Sequence, residues 1–189
     1  MLKPFYQGKL DTFCAIYAVL NALRLTHGIR VPKARDILNE TLLALANSPE
    51  AFRAVLEQTT DYCGLVDTML RVQSRSFPLD IRRPFAAGES PSRDAVWECC
   101  GQWLASGSGR AVIFRFVRHM TPDTPPVNRH WTTADSLQND ILHLFDSSHE
   151  AEAILNIRKD GFVTRSEDVS GDCLLHIQPA TIRLLRLSF

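Results

Sequence analysis

CAIYAVLNALRLTHG, residues 14–28, is apolar on nearly every side from Cys14 to Leu25 and halts at Gly28. A helix that is hydrophobic all round belongs inside a domain, and a glycine just past the last apolar position is a stop signal. The stretch therefore predicts a buried central helix, with a cysteine where it begins. If Asp11 or Thr12 caps that helix, Cys14 lies in its first turn, where unpaired backbone N–H groups and the macrodipole favour a thiolate. A small buried hydrophobe would occupy the same place. Cys14 is a candidate nucleophile whose standing depends on what else the chain supplies.

Outward from this helix, the N-terminal half reads as further helices. Two of them, about Pro32–Ala46 and Pro49–Glu57, each open on a proline suited to a first turn. Another follows Gly64, and FPLDIRRPF (77–85) reads as a short extended piece. SRDAVWECCGQWLASG (92–107) has helical spacing of Val96, Cys100, Trp103 and Leu104, and is closed by Gly107 and Gly109. From Arg110 the texture changes. RAVIFRFV (110–117), HWTTADSLQ (130–138) and ILHLFDSS (141–148) are short, rich in apolar and β-branched residues, and bounded by turn residues. Asn139-Asp140 is a tight-turn signal that folds the last two into an antiparallel hairpin. RHMTPDTPPVNR (118–129) carries three prolines and reads as a surface loop, SSHEAEAILNIRKDG (147–161) is loop-like, and FVTRS (162–166) and CLLHIQPATIRLLRL (173–187) follow, the latter interrupted by Pro179. The layout is α+β, with helices first and an antiparallel sheet last.

A chain of 189 residues is expected to form one domain spanning 1–189. Lys and Arg total 21, as do Asp and Glu, so the overall field gives no electrostatic case for nucleic acid or an anionic membrane. The start lacks the apolar core of a signal peptide, and no run approaches the roughly 18 apolar residues of a spanning helix. The expectation is a soluble protein made in a cytoplasm, which is compatible with secretion or injection without a signal peptide. Five cysteines, odd in number and scattered, argue for free thiols over a disulfide scaffold. There is no CxxC pair, and Cys99-Cys100 has no matching pair at zinc-site spacing, so neither a metal nor another cofactor is expected.

A cysteine nucleophile needs a base, and the base needs a group that fixes its tautomer. His130 opens one strand of the expected hairpin and Asp146 lies near the end of the other, toward the same end, at the hairpin mouth rather than in the core. Gln7, ahead of Cys14, could join the Cys14 backbone N–H in holding an oxyanion. Singly, each has a plainer reading: a capped surface histidine, a turn aspartate before Ser147-Ser148, a polar residue in a frayed terminus. Their order along the chain gives them weight together.

QGKLDTFCAIYAVLNAL (7–23) with HWTTADSLQNDILHLFDSS (130–148) resembles the nucleophile segment and the His and Asp strand pair of papain-like cysteine peptidases, especially the compact bacterial branch similar to the bacteriocin-leader-processing peptidases. That resemblance implies a papain-like fold, with Cys14 as nucleophile, His130 as general base and acid, Asp146 as the orienting residue and Gln7 as oxyanion donor. It covers about 40 of the 189 residues. Ala15 stands where a glycine often follows the cysteine, and Gln7 is one residue further from it than usual.

QTTDYCGL (58–65) offers a rival, with Gln58 ahead of Cys63 and a glycine behind it, although the helix it would open is amphipathic rather than buried all round. The loop that ends at His130 could cover or open the site, and Trp131 could screen the His130–Asp146 pair from water, whereas Trp97 and Trp103 read as core. Of the remaining histidines, only His119 lies near that loop. The functional expectation is a thiol-dependent amide hydrolase acting on a peptide or protein, with Gln deamidation, acyl or amide transfer, and a catalytically inactive binding module as alternatives on the same residues.

Overall fold

The computed structural model describes residues 2–8, 12–148 and 154–188. Asp11, one of the two expected caps, and His149 lie outside them. The described residues form five α-helices and a seven-stranded sheet whose ladders are all antiparallel.

The helices are α1 (Cys14–His27), α2 (Val31–Ala46), α3 (Pro49–Leu56), α4 (Tyr62–Gln73) and α5 (Arg93–Ala105). Helix α1 ends as its sequence predicts: Gly28 takes a left-handed conformation at φ 65°, and its N–H reaches the Arg24 carbonyl. Its start differs from expectation. Phe13 is the N-cap and no side chain caps the helix, while the Thr12 hydroxyl instead donates to the Val55 carbonyl at 3.3 Å. Cys14 is still the first helical residue, so it keeps its place beside the unpaired N–H groups. Helix α3 is capped by Ser48, which accepts from the Ala51 N–H. Helix α4 opens at Tyr62 and carries Gly64 inside its first turn, two residues earlier than the glycine suggests. Tyr62 is an anchoring aromatic, mostly buried, whose hydroxyl donates to Val55 at 2.9 Å.

The strands are β1 (Leu79–Arg82), β2 (Arg110–Arg118), β3 (Asn128–Gln138), β4 (Ile141–Leu144), β5 (Asn156–Arg158), β6 (Leu175–Ile177) and β7 (Arg183–Leu187), in the order β1-β7-β2-β3-β4-β5, with β6 also paired to β2. The β3–β4 turn has positive φ at both Asn139 (51°) and Asp140 (59°), the conformation a two-residue hairpin of right-handed twist needs. Strand β3 starts two residues before His130, which therefore sits inside the β2–β3 ladder opposite Phe116 rather than at the lip of a loop. Strand β5 falls in the stretch that reads as loop-like, because its three residues are too few for a periodic signal.

Strand β2 shares its second edge between two partners: β7 pairs with Arg110–Ile113 and β6 with Phe116–Arg118. The proline-led 3-10 turn Pro179–Thr181 makes the step between them. It also closes the gap in the ladder, since the Arg115 N–H donates to Thr181 Oγ1 at 2.9 Å and the Arg115 carbonyl accepts from the Gln178 N–H at 3.0 Å.

Alternation along β2 divides the core between the sheet faces. Ala111 and Ile113 join Trp131 and Leu185 under α1, α2 and α4, with Ile16, Val19, Leu20 and Leu23 of α1 at the centre. Val112, Phe114 and Phe116 face the other way, with Ala134, Leu142 and the α5 residues Val96, Trp97 and Trp103. Helix α1 is tied to the sheet where the Thr133 hydroxyl donates to the Ala18 carbonyl at 2.8 Å, both groups buried. This bond and the surrounding core fix the start of α1 against the start of β3. Among the described residues no helix is long and apolar enough to cross a membrane.

Candidate active site

Cys14, His130 and Asp146 form one continuous chain of side-chain contacts. The His130 ring takes part in side-chain hydrogen bonds with Asp146 and with Cys14. Its Nε2 lies 2.8 Å from Asp146 Oδ2, which leaves Nδ1 for the thiol. Asp146 sits two residues beyond the end of β4, and three donors in all hold it in place. Its Oδ2 accepts from the Thr132 hydroxyl at 2.5 Å as well as from His130, and its Oδ1 accepts from the Ser148 N–H at 2.7 Å. The Ser148 bond is an Asx turn, local to the chain, and Thr132 lies two positions along β3 from His130, on the same face. Thr132 and Ser148 escape sequence reasoning because a threonine in a strand and a serine in a turn carry no chemical signal of their own.

Burial corrects one expectation. Asp146 is 2 % exposed and His130 7 %, so the pair is interior rather than at an open hairpin mouth. The aromatic ring beside His130 is Phe116, with centroids 5.5 Å apart, while Trp131 turns to the other sheet face and joins the core under α1. Burial alone would strip the proton from His130. The hydrogen bonds and negative charge of Asp146 and Cys14 outweigh it, and the imidazole is pushed up to about 10. Burial likewise works against the Asp146 carboxylate, but its bonds to His130, Thr132 and Ser148 hold it below its ordinary value. The two shifts agree: the site stores an imidazolium between a carboxylate and a thiol.

The site opens into a small cleft of about 120 Å³ lined by Cys14, His130, Gln7, Tyr62, Arg115 and others. Gln7 is thus brought beside Cys14. Its N–H donates to the Ser147 carbonyl at 2.8 Å, which fastens the N-terminal segment to the residue after Asp146. A second clasp lies two residues earlier, where the buried Asn21 of α1 accepts from the Phe5 N–H at 2.7 Å and donates to the Phe5 carbonyl at 3.2 Å. The Arg24 guanidinium lies 4.5 Å over the Phe5 ring. Asn21 lies on the same face of α1 as Cys14, two turns further on, so a single helix positions the cysteine and the segment that carries Gln7. Asn21→Ala is expected to lower stability by about 1–3 kcal/mol, since it strands a backbone donor and acceptor, and to cut any Gln7-dependent rate with it. Thermal melting beside Cys14 reactivity checks this; an unchanged melting temperature would mean the clasp carries no load.

Cys63 does not join this chain of contacts. It lies half-buried in the second position of α4, against the core, where burial pushes its thiol up despite the nearby charge of Arg183. Burial also raises Cys99, Cys100 and Cys173. His119 stays within its own loop, its Nδ1 lying 3.1 Å from the Thr124 carbonyl.

No protein-family model matches this chain, and no curated protein matches it in sequence. Its chemistry is therefore read from the site. A thiol at a helix N-terminus, an imidazolium in contact with it, and a carboxylate held by three donors behind the ring can together deliver a nucleophile and a proton to one carbonyl carbon. Among the described residues no group of three or more His, Cys, Asp or Glu side chains converges as a metal-ligand set.

Proposed function

We propose that this chain is a thiol-dependent amide hydrolase, a cysteine peptidase of papain-like fold in which Cys14 is the nucleophile, His130 the acid and base, Asp146 the orienting group and Gln7 an oxyanion donor. The observation that carries it is the contact between Cys14 and a His130 ring already engaged by a buried carboxylate, with both residues lining one cleft. In an inactive binding module Cys14 and His130 could be buried apart, whereas here both line one cleft.

The steps follow from where the protons lie. His130 holds a proton through the neutral range, so an imidazolium stands beside the Cys14 sulfur and favours its attack as a thiolate. The Cys14 sulfur adds to the substrate carbonyl, and the oxygen takes up negative charge against the Cys14 N–H and the Gln7 amide. The imidazolium then gives its proton to the leaving amine, which departs as the acyl thioester forms. Neutral His130 takes a proton from water, hydroxide adds to the thioester, and the acid leaves with the thiolate restored. Asp146 keeps the ring oriented and stabilises its charged form throughout. The cleft is smaller than the roughly 300–1,000 Å³ of sites that enclose small molecules, which favours a side chain of a peptide or protein laid across the surface.

The test is to incubate the protein with an unfolded protein mixture, quench in acid, and examine the Cys14 peptide for an acyl thioester. An adduct on Cys14, accompanied by new peptide ends, is expected; conversion of Gln to Glu without chain cleavage would move the activity to deamidation on the same residues. Equal product from Cys14→Ala would remove Cys14 from the chemistry.

A further inference from the structure

The cleft beside Cys14 is positively charged in a chain whose Lys and Arg balance its Asp and Glu, 21 against 21. Arg115, Arg129 and His130 line it, and among the described residues no Asp or Glu does. Arg129 is exposed at the rim, whereas Arg115 is half-buried. Two other arginines of the sheet have carboxylate partners, Arg183 gripping Asp67 through Nε and Nη2 and Arg186 meeting Asp80, whereas the half-buried Arg24 and Arg110 lie against aromatic rings and donate to backbone carbonyls. Among the described residues no carboxylate pairs with Arg115. The Asp146 charge is spent on His130 and Thr132.

Arg115 is held in position by its backbone. It falls where the β2 edge passes from β7 to β6, and the Thr181 hydroxyl and Gln178 N–H clamp its N–H and carbonyl. Across the ladder its register partner is Trp131, the residue after His130. Cross-strand partners share a sheet face. The Trp131 indole N–H is buried and meets no acceptor among the described residues. An arginine whose backbone is clamped and a tryptophan with an unused N–H donor are thus cross-strand partners, and both line the cleft of the nucleophile. Tyr62, which lines that cleft too, feels the charge of both Cys14 and Arg115.

We propose that Arg115, with the Trp131 indole N–H, is a specificity site for a carboxylate on the substrate adjacent to the amide that Cys14 attacks. The inference rests on Cys14 being the nucleophile. The carboxylate belongs either to an acidic side chain or to the end of a peptide chain; both present the same planar acceptor that a guanidinium recognises.

Two alkylating agents test it without a known substrate. Iodoacetate and iodoacetamide share the carbon that the sulfur attacks and the iodide that leaves, and differ only in a carboxylate against an amide. The ratio of their rates at Cys14, read by mass spectrometry, reports attraction of a carboxylate. His130 contributes to that ratio in every variant, so the change on replacing Arg115 isolates Arg115. Arg115→Gln is expected to lower the ratio about tenfold, and Arg115→Lys to restore most of it. An unchanged ratio in Arg115→Gln would overturn the proposal. If Cys14 in the wild type shows no preference over the other thiols toward iodoacetamide, the nucleophile reading fails instead. Wild-type protein supplies a second measurement that no folding defect can obscure: protection of Cys14 from iodoacetamide by three blocked tripeptides. N-acetyl-Ala-Glu-Ala-amide should protect if the carboxylate is a side chain, and N-acetyl-Ala-Gln-Ala with a free C-terminus if it is a chain end. N-acetyl-Ala-Gln-Ala-amide should do neither, and equal protection by all three, or by none, contradicts the assignment.

Discussion

Asp146→Ala is expected to slow Cys14-dependent turnover by about a hundredfold to ten-thousandfold, the range seen when one orienting group of such a triad is lost. The residue accepts from His130, Thr132 and Ser148. Alanine removes all three acceptances, frees the ring to rotate, and leaves the buried imidazolium facing no carboxylate. Asp146→Asn keeps the shape and still accepts from the Ser148 N–H, but it removes the charge that holds the proton on the ring, so it should be damaged less. Because Asp146 is interior, Asp146→Ala should also destabilise the fold by about 3–5 kcal/mol, the cost of unpairing a buried charge. Turnover and thermal melting are to be measured together, at a temperature where both variants are folded. Full activity in Asp146→Ala would reduce the site to Cys14 and His130.

The second large effect belongs to His130. His130→Ala is expected to slow Cys14 alkylation by about tenfold to a hundredfold at about pH 6, because the imidazolium that favours the thiolate is gone. The gap should narrow as pH approaches 10, where the wild-type ring itself gives up its proton. The same shift enters stability. A ring whose folded value is raised from 6.5 to about 10 stabilises the fold fully below pH 6.5, and that contribution fades as pH rises through 10. Asp146, held below 3.8, contributes above that value and loses its contribution as pH falls through the depressed one. Wild-type protein should therefore melt highest between about pH 4 and 6.5 relative to His130→Ala, with the difference shrinking toward pH 10. A difference that grows with pH would mean that the ring is buried neutral.

The parts of the fold with long or strongly punctuated signals were legible in the sequence. Helix α1 is apolar enough to fix its own burial, and Asn139-Asp140 fixes the β3–β4 hairpin and with it the approach of His130 to Asp146. Short elements were not. Strand β5 has three residues, and its pairing with β4 is a tertiary event with no periodic trace. The cap of α1 also eluded a propensity argument, since Thr12 is a favoured cap type yet spends its hydroxyl on Val55, which is 43 positions away in sequence. At the site, residues that bear chemistry could be named, whereas their supports could not. Thr132 and Asn21 become meaningful only once the strand register and the path of residues 2–8 are known. Arg115 is the sharpest case: in RAVIFRFV it reads as a polar break in a strand, and only the register with Trp131 puts it beside the nucleophile.

The most direct test of the central claim is to treat the folded protein near neutral pH with less than one equivalent of iodoacetamide and read the label at each of the five cysteines. Cys63, Cys99, Cys100 and Cys173 are all held in the thiol form by burial, whereas Cys14 faces the His130 imidazolium at a helix N-terminus. Label is expected to concentrate on Cys14 and to be lost from that site in His130→Ala. Label spread evenly over the five, or gathered on Cys63, would contradict it.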